Sequence, residues 1–226
     1  MDQVTTFVQR FGVPIAMTGV YAVLAWSADT STTGKAWMAI GLGFVYVIWW
    51  VVRVLTTDAA LSRAISHGDA PRLLALTDRA LARTKPAAAR VPHLIHRALA
   101  QAIQEAWPAA LVTLAEVDLA VLPVPARPRW QLRAAAVRAA ALAETGEVVE
   151  ARRVLEAELL PAASQLDPRR EPEARVLSEL TRGRVLLAEG QGAAAHAALT
   201  SVVTDIRAGE HQRATAQRLL ARVAKL

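Results

Sequence analysis

The stretches FGVPIAMTGVYAVLAWSA, residues 11–28, and AWMAIGLGFVYVIWWVV, residues 36–52, contain no Asp, Glu, Lys or Arg. Helices of this length cover about 26 Å, close to the roughly 30 Å hydrocarbon core of a bilayer. Trp26 and Trp37 lie near run ends, where amphipathic rings favour the membrane interface. The sequence therefore predicts a transmembrane helical hairpin over residues 1–57, with spans at about 11–28 and 36–52.

Basic residues after the second run set the predicted orientation. Arg53, Arg63 and Arg72 follow this run, whereas the loop between the runs, residues 29–35, has no net charge. An excess of Lys and Arg marks the cytoplasmic side of a membrane protein, and such residues attract anionic lipid. These features predict a multi-pass protein of the bacterial inner membrane with a cytoplasmic C-terminal domain. An interpretation of the first run as a signal peptide cleaved near Ser27 stays open.

Composition excludes some classes of function. The chain has no cysteine, so it forms neither a disulfide framework nor a thiolate metal site. Its formal charge of +6 suggests nucleic acid, but the excess is concentrated in residues 59–104, which hold seven basic and two acidic side chains. Aromatic residues do not interleave with these basic ones as a base-stacking surface requires. We therefore expect protein and membrane lipid as partners, and no nucleic acid.

The chain from residue 58 onward has a helical pattern, because its apolar residues recur at intervals of three and four. Short turn sequences divide this region into similar units. Small residues, Ala98, Ala139 and Gly183, stand seven positions before the turns of the last three units. The aligned turns are His67-Gly68-Asp69, Glu105-Ala106-Trp107, Gly146-Glu147-Val148 and Gly190-Gln191-Gly192.

This arrangement resembles the tetratricopeptide repeat (TPR), whose helix pairs carry a small residue in the first helix and a glycine at the turn. The spacings of 37, 41 and 44 residues between turns exceed the family's repeat of about 34, and the second turn has Glu105 in place of glycine. The resemblance implies an all-α chain with a TPR-like α-solenoid of about four helix pairs over residues 58–226, including a C-terminal capping helix from Glu210. It also implies a groove lined by first helices that holds protein partners.

Three arginines are candidates for partner binding. Arg97, Arg138 and Arg182 each lie eight residues before a turn, so a regular stack would align them. Their planar guanidinium groups are suited to gripping carboxylates of a partner. In the alternative interpretation, their stems pack between helices and their heads cap carbonyls or pair with local acids.

Catalytic and metal-binding motifs are missing from the sequence. His93 and His96 are three residues apart on one helical face, but two imidazoles without a third ligand make a weak metal site. We therefore predict no enzyme activity, no cofactor and no metal. The expected function is that of a membrane-anchored protein-protein interaction scaffold or assembly factor. The alternative is an accessory subunit of a membrane-associated enzyme complex in a lipid or cofactor pathway.

Overall fold

A computed structural model describes residues 41, 43–48, 59–169, 171 and 173–225. The chain divides into two compact units, Met1–Ala60 and Leu61–Leu226. The domain boundary predicted between residues 57 and 58 lies outside the described residues.

The second unit consists of helices joined by short connections. Most helices are regular, but α6 contains a π-helical turn directly before Pro161, which has no amide hydrogen to continue an α-helical ladder. The helices are α1 (described from 59 and ending at 67), α2 (Ala70–Arg83), α3 (Ala87–Ile103), α4 (Trp107–Ala115), α5 (Arg127–Glu144), α6 (Val148–Val154, then the π turn Leu155–Leu159, then Leu160–Ser164), α7 (Glu173–Ala188), α8 (Gly192–Thr204) and α9 (Glu210–Val223). Two short 3₁₀ segments, Leu119–Val121 and Val124–Ala126, connect α4 to α5.

Four turns join consecutive helices into four pairs, and all four turns have the same geometry. The pairs are α1 with α2, α3 with α4, α5 with α6, and α7 with α8. In each turn one residue has a positive φ: 69° at Gly68, 60° at Glu105, 88° at Gly146 and 74° at Gly190. The amide of the next residue then donates a 2.9 Å hydrogen bond to the carbonyl five residues back, as in a Schellman cap. The turn without a glycine therefore places Glu105 in the conformation that the glycines adopt elsewhere.

Small residues allow the two helices of a pair to pack closely. Ala98 and Ala139 have no solvent exposure, and a Cβ added to Gly183 would lie 2.6 Å from Cγ of Leu199. The last three second helices each contribute a buried alanine followed four residues later by a buried leucine, as in Ala195 and Leu199. The two helices of a pair approach closely at these positions, and the side chains between them form the apolar core of the pair.

The last helix, α9, packs on α7 and α8 and also returns to the turns of earlier pairs. Glu210 approaches His67 at 3.0 Å, and the His211 ring lies against the backbone of Gly68. Further along α9, Arg218 reaches Glu105 at 3.3 Å. The helix thus crosses the turn ends of successive pairs and links them.

The predicted transmembrane hairpin and the predicted multi-pass inner-membrane localisation are wrong. Among the residues that the structure describes, no helix is long and apolar enough to cross a membrane. The longest of these, α5, has 18 residues but includes five charged side chains, because it is apolar only where it faces its neighbours. The predicted span at 11–28 lies outside the described residues, and of the span at 36–52 only 41 and 43–48 are described. The all-α part of the prediction is confirmed over the described ranges, which contain no strand.

Candidate functional site

The three arginines predicted to bind a partner all have acidic neighbours. Nε of Arg97 lies 3.3 Å from Asp78 on α2, although this contact is not aligned as a hydrogen bond. Nη1 of Arg138 donates to Glu158 on α6 at 3.2 Å. Arg97 and Arg138 therefore face second helices, and their charges are used within the chain.

Arg182 differs from the other two because its acidic neighbour is distant. Its Nη1 lies 3.8 Å from Glu179 of the same helix, beyond hydrogen-bond range, and about half of its side chain is exposed. An exposed contact of this kind contributes little to stability. The Arg182 guanidinium could therefore leave Glu179 for another carboxylate with little loss of folding stability.

Arg182 lines a groove between α7 and α8 with a volume of about 470 Å³. One wall comes from α7, where the charged residues Arg175, Glu179 and Arg182 follow one another at intervals of four and three. The other wall comes from α8 and is formed by small residues, Ala194, Ala197, Ala198 and Ser201. The groove thus combines a charged rim with a wall that another helix can approach closely.

The rim is held in place by a buried carboxylate that follows α8. Asp205 is 8% exposed and accepts a 2.6 Å hydrogen bond from Nη2 of Arg175. The backbone amide of Arg207, together with the Arg175 guanidinium, holds the pKa of Asp205 below its ordinary value. This ion pair fixes the Arg175 stem while two thirds of the side chain stays exposed.

The outer surface of α8 carries no formal charge. Its thirteen residues include no Asp, Glu, Lys or Arg. The exposed positions are Ala193, Ala194, His196, Ala197, Thr200 and Thr204. Since protein surfaces normally mix charges of both signs, the absence of charge on this exposed helix face distinguishes it from an ordinary solvated face.

A second group of charges lies where α9 meets the other helices. Glu144 accepts a hydrogen bond from Arg222 at 3.0 Å and lies 3.4 Å from Nε of Arg184. The Arg184 guanidinium also stacks 5.0 Å from the ring centroid of Trp107. Burial lowers the pKa of Arg184, and Glu144 opposes that shift. Each charge here has a partner from another helix, so the group stabilises the stack.

The histidine pair considered as a metal site lies near Trp130. His96 is 5% exposed, and its ring meets Trp130 edge-on with centroids 5.4 Å apart. Burial, with Arg133 as a smaller cause, lowers the pKa of His96 to about 3. His96 is therefore neutral at physiological pH. Within the part of the chain that the structure describes, no three His, Asp or Glu side chains are grouped to hold a metal ion.

Of the predicted partner-binding residues, the structure places only Arg182 in the groove. Sequence reasoning missed Arg175 and the α8 wall, although the charge-free run 192–204 was a visible signal. No protein-family model matches the chain, and neither curated proteins nor solved structures give a match.

Proposed function

We propose that this chain is a helical-repeat scaffold, similar to tetratricopeptide proteins, that binds a protein partner in the groove between α7 and α8. The observation that carries the proposal is the charge-free wall of α8 facing the rim of Arg175 and Arg182. Repeated helix pairs make a stable platform because each pair covers the apolar face of its neighbour. The groove adds a surface on which a helix of the partner fits.

The chemistry of the groove favours a protein over a small molecule. The site is open and elongated along two helices, and its walls offer alanines rather than the apolar enclosure that small ligands require. An amphipathic helix laid along such a groove is a common mode of recognition. The role assigned to Arg182 is to fix the orientation of that helix through a carboxylate.

A photo-crosslinking experiment in the full chain tests this function. Benzoylphenylalanine at position 197, inside the groove, should give a discrete protein adduct in the cells that naturally make the protein. The same adduct should fade when Arg182→Glu is added, because the rim charge is reversed. Position 149 on α6, whose side chain is 88% exposed, is the control and should give no such adduct. Equal adducts at both positions, or no Arg182-dependent adduct at position 197, would overturn the proposal.

A further inference from the structure

We propose that the groove between α7 and α8 binds the same groove of a second copy of this chain, so that the protein forms a two-fold symmetric dimer. This inference rests on the proposed function, since it names the occupant of the same groove. Its basis is the order of charges on α7: Arg175, Glu179 and Arg182 lie on one face, with the acid between the two bases.

The Glu179–Arg182 part of this line is complementary to itself when two copies of α7 run antiparallel. With the two-fold axis between positions 179 and 182, Glu179 faces Arg182 of the partner subunit and Arg182 faces Glu179 of the partner subunit. Within one chain these two groups are 3.8 Å apart and do not form a hydrogen bond with each other. Both are therefore available to form ion pairs with a second copy. A two-fold interface uses the same patch on both subunits and needs this kind of complementarity.

The net charge of this face also favours a second copy. The groove face carries Arg175, Glu179 and Arg182, and Asp205 pairs with Arg175, so its two positive and two negative charges give a net charge of zero. The whole chain carries +6. A partner attracted by charge alone would bind elsewhere on this basic protein, whereas the neutral face lets two basic molecules meet without repulsion.

The alanines of α8 allow the two copies to approach closely. With 13 residues, α8 is about 20 Å long, and helices packed through small side chains lie about 8 Å apart. A face two helices wide therefore offers about 400 Å² per copy, or about 800 Å² in total. Interfaces of that size are weak and depend on concentration. The dimer should thus dissociate on dilution.

The test is a charge-swap experiment on the full chain, measured by sedimentation equilibrium. The wild type should show concentration-dependent dimerisation. Arg182→Glu alone places four acids near the axis and Glu179→Arg alone places four bases there. Each variant should therefore dimerise at least about tenfold more weakly, since like charges in contact oppose association. An equimolar mixture of the two variants restores both ion pairs and should form a heterodimer with nearly wild-type affinity.

The control is Arg79→Glu, which makes the same charge change at an exposed arginine of α2 and should leave dimerisation unchanged. Circular dichroism melting checks that each variant is folded. A wild type that stays monomeric throughout the concentration series, or a mixture that associates no better than either variant alone, would overturn the dimer. If the groove binds a different protein, the crosslinker at position 197 gives an adduct with another chain while the wild type stays monomeric. If the proposed function itself fails, position 197 gives no Arg182-dependent adduct.

Discussion

The second helices of the third and fourth pairs, α6 and α8, have similar inner faces and opposite outer faces. Leu159 and Leu199 are both fully buried. The outside of α6, however, carries charged residues that form hydrogen-bonded ion pairs. These pairs are Arg152 with Glu189, Arg153 with Glu150, and Arg138 with Glu158. On the outside of α8 there are no such charges. The inner faces are alike because both pack in the core, so the two helices differ in their outer faces, and the proposed interface accounts for that difference.

The largest expected effect tests whether the inner faces are equivalent. Leu159→Ala and Leu199→Ala should each lower the free energy of unfolding by about 3–5 kcal/mol, because each removes a buried leucine side chain and leaves a cavity. Urea denaturation monitored by circular dichroism measures both values. A loss below about 1 kcal/mol at Leu199 alone would mean that α8 packs loosely, and its bare outer face would then need another explanation.

A smaller effect concerns how the free energy of unfolding depends on pH. Here the buried His96 is compared with the exposed His196 on α8. The folded-state pKa of His96 is about 3, below the unfolded value near 6.5. The unfolded chain therefore binds the proton more readily, so stability present above pH 6.5 is lost as the pH falls towards 3. We expect a loss of about 2 kcal/mol between pH 7 and pH 5 from this group.

The measurement is thermal unfolding as a function of pH, with two variants. His96→Phe should reduce the loss of stability between pH 7 and pH 5. His196→Gln, on the exposed face of α8, is the matched control. It should leave the change in stability with pH the same as in the wild type. An unchanged slope in the His96 variant would contradict the buried, neutral state of this ring.

A third prediction concerns the turns that lead into the two helices. Gly146 precedes α6 and Gly190 precedes α8; both have positive φ, and a Cβ at either position would meet no atom within 4 Å. Gly146→Ala and Gly190→Ala should therefore each lower the free energy of unfolding by about 1 kcal/mol, because alanine disfavours a positive φ. Chemical denaturation should give two similar values. A cost several times larger at one turn would show that the pairs are not equivalent.

The smallest effect on stability is expected on the outer faces. Ala197→Arg and Val149→Arg should each change the free energy of unfolding by no more than about 0.5 kcal/mol, because both positions are exposed. Only the first should weaken association, as sedimentation can show. A clear loss of stability in Ala197→Arg would indicate that the groove wall belongs to the core.

The sequence predicted the all-α class of the described residues because helical signals are local. Glycines at 68, 146 and 190, together with the small residues seven positions before the last three turns, are enough to align four helix pairs. The N-terminal membrane prediction rests on run length, the absence of charge and the tryptophans at the run ends, which are properties of the sequence and not of an observed helix. No helix in the described ranges has those properties over a sufficient length.

The site was harder to predict because it depends on which helix faces meet. Arg97 and Arg138 occupy the same repeat position as Arg182, yet their acids, Asp78 and Glu158, come from other helices 19 and 20 residues away. Periodicity cannot show such partners. Arg175 was missed for a similar reason, since its position on the rim depends on Asp205, which lies beyond α8.

If the proposed interface exists, the outer face of α8 is covered in the working protein and that of α6 is exposed. The chain has no cysteine, so a single introduced thiol reports on its own position. Ala197→Cys and Val149→Cys should be labelled with a small maleimide inside the native cells and again after purification and dilution. We predict that position 197 is protected in cells and reactive after dilution, whereas position 149 reacts equally in both. Equal labelling of the two positions in cells would show that the α8 face is not covered by a partner.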